Sequence, residues 1–241
     1  MKSFKQHLTE SISIRRIEDQ LRTHFLSYRK TNPMSDEMDF KFAIEGIVRR
    51  ATSLFLDNIS LDFAVVNIVE NHINGNSGSF AFIPNVPRVH FEFSFDKEVV
   101  RKIIEEEDRR SLNKVIQIIS HEFLHAIQFD RAKTKSSPKD KKYKKYNGDT
   151  QYHGSQEEIE AYAANAAQEL EQDSNINLEQ ILKSLRSSSK YPQTKILEYL
   201  SSQSDAFRRY YLRFGNSNDY KLKRIFKRFI KKFIYHINDR I

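Results

Sequence analysis

The 241-residue chain has no cysteine and no tryptophan, and only 6 glycines and 5 prolines. Without cysteine there is no disulfide scaffold, thiolate zinc finger, iron–sulfur cluster or cysteine nucleophile. So little Gly and Pro excludes collagen-like and Pro/Gly-rich low-complexity classes. No run approaches the ~18 consecutive apolar residues of a membrane-spanning helix. The N-terminus, MKSFKQHLTESISIRRIEDQL, lacks the apolar centre of a secretory signal. These absences lead us to expect a soluble, cytoplasmic protein without a transmembrane span. The length suits a single domain over 1–241 with one sizeable core.

What is abundant is charge. Lys and Arg number 40 against 32 Asp and Glu, a formal net of +8. Two segments hold that excess. Residues 131–146, RAKTKSSPKDKKYKKY, carry eight basic residues and one acidic one; so do residues 221–241, KLKRIFKRFIKKFIYHINDRI. The remainder of the chain is therefore net acidic. The first segment has no apolar periodicity and reads as a basic, solvated loop. In the second, Leu222, Ile225, Phe226, Phe229, Ile230, Phe233, Ile234 and Ile237 recur at steps of three and four. That spacing predicts a basic amphipathic helix over 221–238. Its apolar stripe suits docking on a core; its basic face suits a nucleic acid, a membrane surface or an acidic partner.

Elsewhere the pattern alternates between two periods. Residues 4–29 and 35–56 read as helices, the second capped by Ser35, with Phe40, Ile44, Ile47, Ala51 and Leu54 facing inward. Period two then takes over in 61–69, 79–83 and 89–95, where Val89, Phe91, Phe93 and Phe95 face one way. Helical periodicity returns at 97–107, 111–130, 157–170, 178–186 and 192–213. The predicted fold is α+β and mostly helical, with a small three-stranded sheet.

Chemistry concentrates at 121–125, His-Glu-Phe-Leu-His. A random chain of this composition would contain the pattern with probability of about 0.02, so context decides. Val115, Ile116, Ile119, Phe123, Leu124 and Ile127 surround it at helical spacing. On a helix, His121 and His125 lie one turn apart on one face. Two imidazole nitrogens can then meet one Zn2+. Glu122, one residue on, is placed to take a proton from a metal-held water, as metal-assisted peptide hydrolysis requires. A third ligand is still needed. The candidates are His153, Glu157, Glu158 and Glu160, at the head of an Ala-rich helix whose small residues permit close approach to a neighbour.

HEFLH followed by EIEAYA resembles the zincin metallopeptidases of gluzincin type. The resemblance implies that His121 and His125 are zinc ligands, that a downstream glutamate is the third, and that Glu122 is the general base. Glu158, with a small residue three positions on at Ala161, fits the downstream pattern. Tyr162 departs from it, because Asp or Asn usually stands there. Glu160, with Ala163 and Ala164 following, is the alternative. Together with the basic aromatic C-terminus, the motifs also look like small metallopeptidase-like proteins of bacteriophages, which would place the protein in a host cytoplasm. The specific motifs span about residues 111–170. In that fold an edge strand holds the substrate backbone, and 89–95 is the expected strand. Tyr152, His153 and Tyr162 are candidate oxyanion stabilisers.

The expected function is thus a zinc-dependent endopeptidase acting on a protein or peptide. Two alternatives stand beside it: a nucleic-acid-associated protein using the basic loop and tail, and a non-catalytic interaction module stapled by a metal.

Overall fold

The structure, a computed structural model, describes residues 14–70, 76–82, 87–134, 153–187 and 194–241. The chain divides into two compact units, Met1–Lys141 and Lys142–Ile241.

In the first unit, helix α1 (Ile14–Thr31) buries Ile14, Ile17, Leu21 and Phe25. The part of the expected helix before residue 14 lies outside the described residues. Helix α2 (Glu37–Phe55) is capped by Asp36, not Ser35: the Asp36 carboxylate accepts from the amides of Met38 and Asp39. Ser35 instead donates both its amide and its hydroxyl to Asp39 Oδ2, each at 2.8 Å. Phe40, Ile44, Ile47 and Ala51 are buried as expected, but Leu54 is 53% exposed. The stripe steps four residues from Ala51 to Phe55, and Leu54 falls beside it.

Strands β1 (Ser60–Val69), β2 (Ser77–Phe82) and β3 (Arg88–Asp96) form one mixed sheet in the order β1-β3-β2. β3 pairs in parallel with β1 and antiparallel with β2. The strand expected at the edge, 89–95, is therefore central, and β1 and β2 are the edges. Its alternation is as predicted: Val89, Phe91, Phe93 and Phe95 are fully buried. Buried on one face and flanked on both sides, such a strand carries much of a sheet's apolar contact. Phe40 meets Phe25 and Phe95 edge to face at 6.3 and 5.9 Å, joining both helices to the sheet.

Helix α3 (Lys97–Glu105) starts where β3 stops, because Asp96 caps it through the Glu98 amide at 2.9 Å. Glu107 then takes a left-handed φ of 52°. That reversal launches helix α4 (Arg109–Thr134), the longest of the described helices. Asp108 accepts from the amides of Arg110 and Ser111 and from the Ser111 hydroxyl at 2.6 Å, so the start of α4 is tied by one carboxylate. These bonds hold the Asp108 carboxyl below its usual pKa, the Ser111 hydroxyl contributing most. α4 runs four residues into the segment expected as a basic loop. The rest of that segment, 135–146, lies outside the described residues.

The second unit is helical in its described residues: α5 (Gln156–Glu171), α6 (Leu178–Arg186), α7 (Thr194–Gln203), α8 (Asp205–Tyr210), a π-helical turn (Tyr211–Gly215) and α9 (Tyr220–Asn238). The continuous helix expected over 192–213 is broken at Ser204. Its hydroxyl accepts from the Phe207 amide at 3.0 Å and donates to Glu169 at 2.7 Å, starting a new helix. The apolar stripe of α9 is core, as its spacing predicts: Phe226, Phe229, Ile230, Phe233 and Ile237 are buried. Ala161, Ala163, Ala164, Ala166 and Ala167 of α5 are fully buried as well, and α5 packs closely on α8 and α9. Phe207 contacts Phe226, Phe229 and Phe233 with ring centroids 5.0–6.0 Å apart, and Tyr210 stacks on Phe229 at 4.4 Å. Among the described residues no helix is long and apolar enough to cross a membrane.

Candidate metal centre

The HEFLH motif lies within α4, as predicted. Phe123, Leu124, Ala126 and Ile127 turn into the core, leaving His121 and His125 half-buried. Their rings are 4.8 Å apart, and their Nε2 atoms face each other at 3.1 Å. Two nitrogens bound to one tetrahedral zinc at ~2.05 Å stand ~3.3 Å apart, so the pair fits the ion. Helical spacing alone produces this, because residues four apart sit one above the other.

The inner face of β2 covers this stretch of helix. Gly78, Phe80 and Phe82 alternate inward, opposite Phe93, Phe91 and Val89 of β3. Phe80 stacks on His125 at 6.1 Å with the rings 14° from parallel, and Phe82 meets Phe129 at 4.6 Å. Behind the motif, Phe123 stacks on Phe91 at 4.8 Å. At Gly78 the approach is closest. A Cβ there would fall 2.9 Å from both Glu122 Cγ and Ile118 Cγ2, and 3.1 Å from a Phe93 ring carbon. The strand can lie this close to Glu122 only because residue 78 has no side chain. Glu122 is 9% exposed. A carboxylate in such surroundings is shielded from bulk water and limited in the directions it can reach. Composition and motif matching did not point to Gly78; the signal available was a lone glycine inside an alternating apolar strand.

The remaining candidates belong to the second unit. Ser155 caps α5 by accepting from the Glu158 amide at 3.2 Å. Glu158 is 3% exposed, unusually deep for a carboxylate in a first helical turn. Glu160 is engaged within its own unit: it accepts from His236 at 3.0 Å and forms an ion pair with Lys232, both on α9. Burial pushes the Glu160 carboxyl upward, but His236 and Lys232 outweigh that and hold it below its usual pKa. These partners engage both Glu160 carboxylate oxygens within the second unit. The side chain of Glu157 and all of Tyr152 lie outside the described residues. His153 offers its backbone carbonyl to the Tyr210 hydroxyl at 2.7 Å. Its ring packs 5.7 Å from Tyr162, whose hydroxyl is pushed above its usual pKa by burial.

No protein-family model, curated protein or solved structure matches the chain at a significant level.

Proposed function

We propose that the protein is a zinc-dependent peptidase of gluzincin type, in which His121, His125 and Glu158 hold the ion and Glu122 is the general base. The observation carrying this reading is the pair of Nε2 atoms 3.1 Å apart on one face of α4, with Glu122 between them in sequence and shielded by Gly78. Two imidazole nitrogens and one carboxylate oxygen are a donor set that suits zinc and leaves a coordination position for water. When bound, such an ion acidifies water and polarises a carbonyl oxygen. The chain's own part is narrower. Glu122 accepts the proton that the attacking water loses and returns it to the departing amine. Glu122 is nearly buried, and the close approach of β2 at Gly78 limits the movement of its side chain. Phe80, stacked on His125, fixes the imidazole plane so that its Nε2 faces His121.

Among the described residues β2 is an edge strand, with β3 on one side. An extended peptide added along its free edge would gain main-chain hydrogen bonds, the usual basis for holding a substrate backbone beside a sheet. We assign that role to β2 in place of 89–95, which is enclosed by its neighbours.

The decisive experiment is Glu122→Gln, assayed for zinc by elemental analysis and for cleavage of an unstructured protein such as casein. Gln keeps the shape and loses the basicity, so zinc should remain while the rate drops ~10²–10⁴-fold. A variant that keeps zinc and cleaves at the wild-type rate refutes the assigned base. Zinc binding by a wild-type protein that cleaves nothing supports the non-catalytic staple instead.

A further inference from the structure

We propose that the exposed face of α9 is a binding surface for the phosphodiester backbone of a nucleic acid, independent of any hydrolytic activity. Helix α9 carries seven Lys and Arg residues and no Asp or Glu between Tyr220 and Asn238. Its apolar stripe is buried, which fixes the orientation and leaves Lys223, Arg224, Lys227, Arg228 and Lys231 exposed along one side. Arg228 within this array and Lys232 beside it are engaged. Lys232 pairs with Glu160, and Arg228 donates to the Gly154 carbonyl at 3.1 Å. Among the described residues no carboxylate pairs with Lys221, Lys223, Arg224, Lys227 or Lys231.

Helix α3 shows how this chain treats cations elsewhere. There Arg101 is bracketed by Glu98, Glu105 and Glu106 at 2.8–3.1 Å, the usual solution for a solvated helix face. α9 does the opposite. Lys223, Lys227 and Lys231 follow one another at four-residue steps, as do Arg224 and Arg228, and like charges at that spacing destabilise a helix. Lys221, Lys223 and Arg224 also crowd the N-terminal end, where the helix dipole disfavours cations. The local rules of helix design are broken on one face only, while the other face is conventional core. Such one-sided violations mark functional surfaces.

The geometry selects the partner. Amphipathic membrane helices bury their apolar face in lipid, but here that face is occupied by Phe207 and Tyr210. What remains is a straight row of charge, ~6 Å per four-residue step and ~12 Å from Lys223 to Lys231. A linear polyanion satisfies such a row repeatedly. At its head stands Tyr220, 78% exposed, a ring free to stack on a base.

The test is fluorescence anisotropy of a labelled DNA duplex titrated with the full chain between ~50 and ~200 mM salt. Four to five phosphate contacts predict a slope of log K against log salt of about −4. The variant Lys223→Gln/Arg224→Gln/Lys227→Gln/Lys231→Gln should bind at least about tenfold more weakly at the lower salt, with a slope shallower by about 3.6. The corresponding Lys→Arg variant should bind like wild type. Should the Gln variant fail to fold, acylation of wild-type lysines with and without duplex gives the same answer, since Lys223, Lys227 and Lys231 should be protected. Each of the following overturns the proposal: no salt-dependent duplex binding, unchanged binding by a folded Gln variant, lysines unprotected, or a loss reproduced in full by neutralising the basic residues of 131–146. Equal or tighter binding to phosphatidylserine vesicles or to polyglutamate also overturns it, in favour of a lipid surface or an acidic protein.

Discussion

Replacing Gly78 by Ala adds one methyl group where β2 crosses the helix bearing the motif. That carbon would sit 2.9 Å from Glu122 Cγ and Ile118 Cγ2 and 3.1 Å from the Phe93 ring. Carbon atoms pack comfortably at ~3.5–4.0 Å, so at least ~0.6 Å of separation must be found. Ile118 and Glu122 lie one turn apart on the same helix, and Phe93 closes the third side, so no single rotamer change relieves all three contacts. Overpacking of this kind costs ~1–3 kcal/mol. With a urea dependence of ~2 kcal/mol per molar, the unfolding midpoint should fall by ~0.5–1.5 M. Gly46 is the matched control. It lies within α2, and nothing stands within 4 Å of its added Cβ. Gly46→Ala should therefore raise stability by ~0.5–1 kcal/mol through helix propensity and a less flexible unfolded chain. Gly78→Ala should also retain zinc and lose turnover, up to ~10²-fold if Glu122 moves by ~1 Å. A Gly78→Ala variant that unfolds at or above the wild-type urea midpoint would refute the close packing of β2 on α4 at this position.

Other outcomes follow from the same structure. His121→Ala and His125→Ala should each reduce zinc content from one per chain to below about a tenth, since two remaining ligands hold the ion poorly; elemental analysis after dialysis reads this directly. Glu158→Gln should also release zinc, whereas Glu160→Gln should keep it and instead lower the stability of the second unit by ~1–3 kcal/mol by unpairing His236 and Lys232; zinc loss from the Glu160 variant alone would exchange their roles. Phe229→Ala and Phe233→Ala, both at fully buried positions, should each cost ~3–5 kcal/mol in chemical denaturation. Wild-type stability in either would mean the stripe of α9 is not core.

The sequence was most legible where one period ran without interruption. Val89, Phe91, Phe93 and Phe95 alternate so regularly that both the strand and its buried face could be read directly. Strand order could not, because it depends on how the chain crosses between strands, and the most apolar strand was mistaken for an edge when it is the centre. Helix α9 was legible for the same reason as β3, whereas the break at Ser204 was hidden. Apolar steps continue through it, and the cap acts together with Glu169, 35 residues away. The two histidines and Glu122 were marked by motif, and their helix by periodicity. The engagement of Glu160 by Lys232 and His236, 72 and 76 positions distant, is something no local pattern connects. Gly78 fell just outside the strand expected over 79–83, although it lies within β2.

The contact between β2 and α4 joins two rulers of different pitch. From Gly78 to Phe82 the strand advances ~13 Å, while from Glu122 to Phe129 the helix advances ~10 Å. The two can stay in step for about three rungs, which matches the shortness of β2, six residues long. The three rungs are Gly78 against Glu122, Phe80 on His125 and Phe82 on Phe129, with the smallest residue at one end and a ring at the other. Strand parity makes this arrangement brittle toward changes of length. A one-residue insertion or deletion within Ser77–Phe82 would turn phenylalanines outward and set Ser79 or Ala81 against the helix. An insertion within Ser77–Phe82 should therefore cost more than one outside it, because it breaks the spacing that sets Gly78, Phe80 and Phe82 on the helix-facing side.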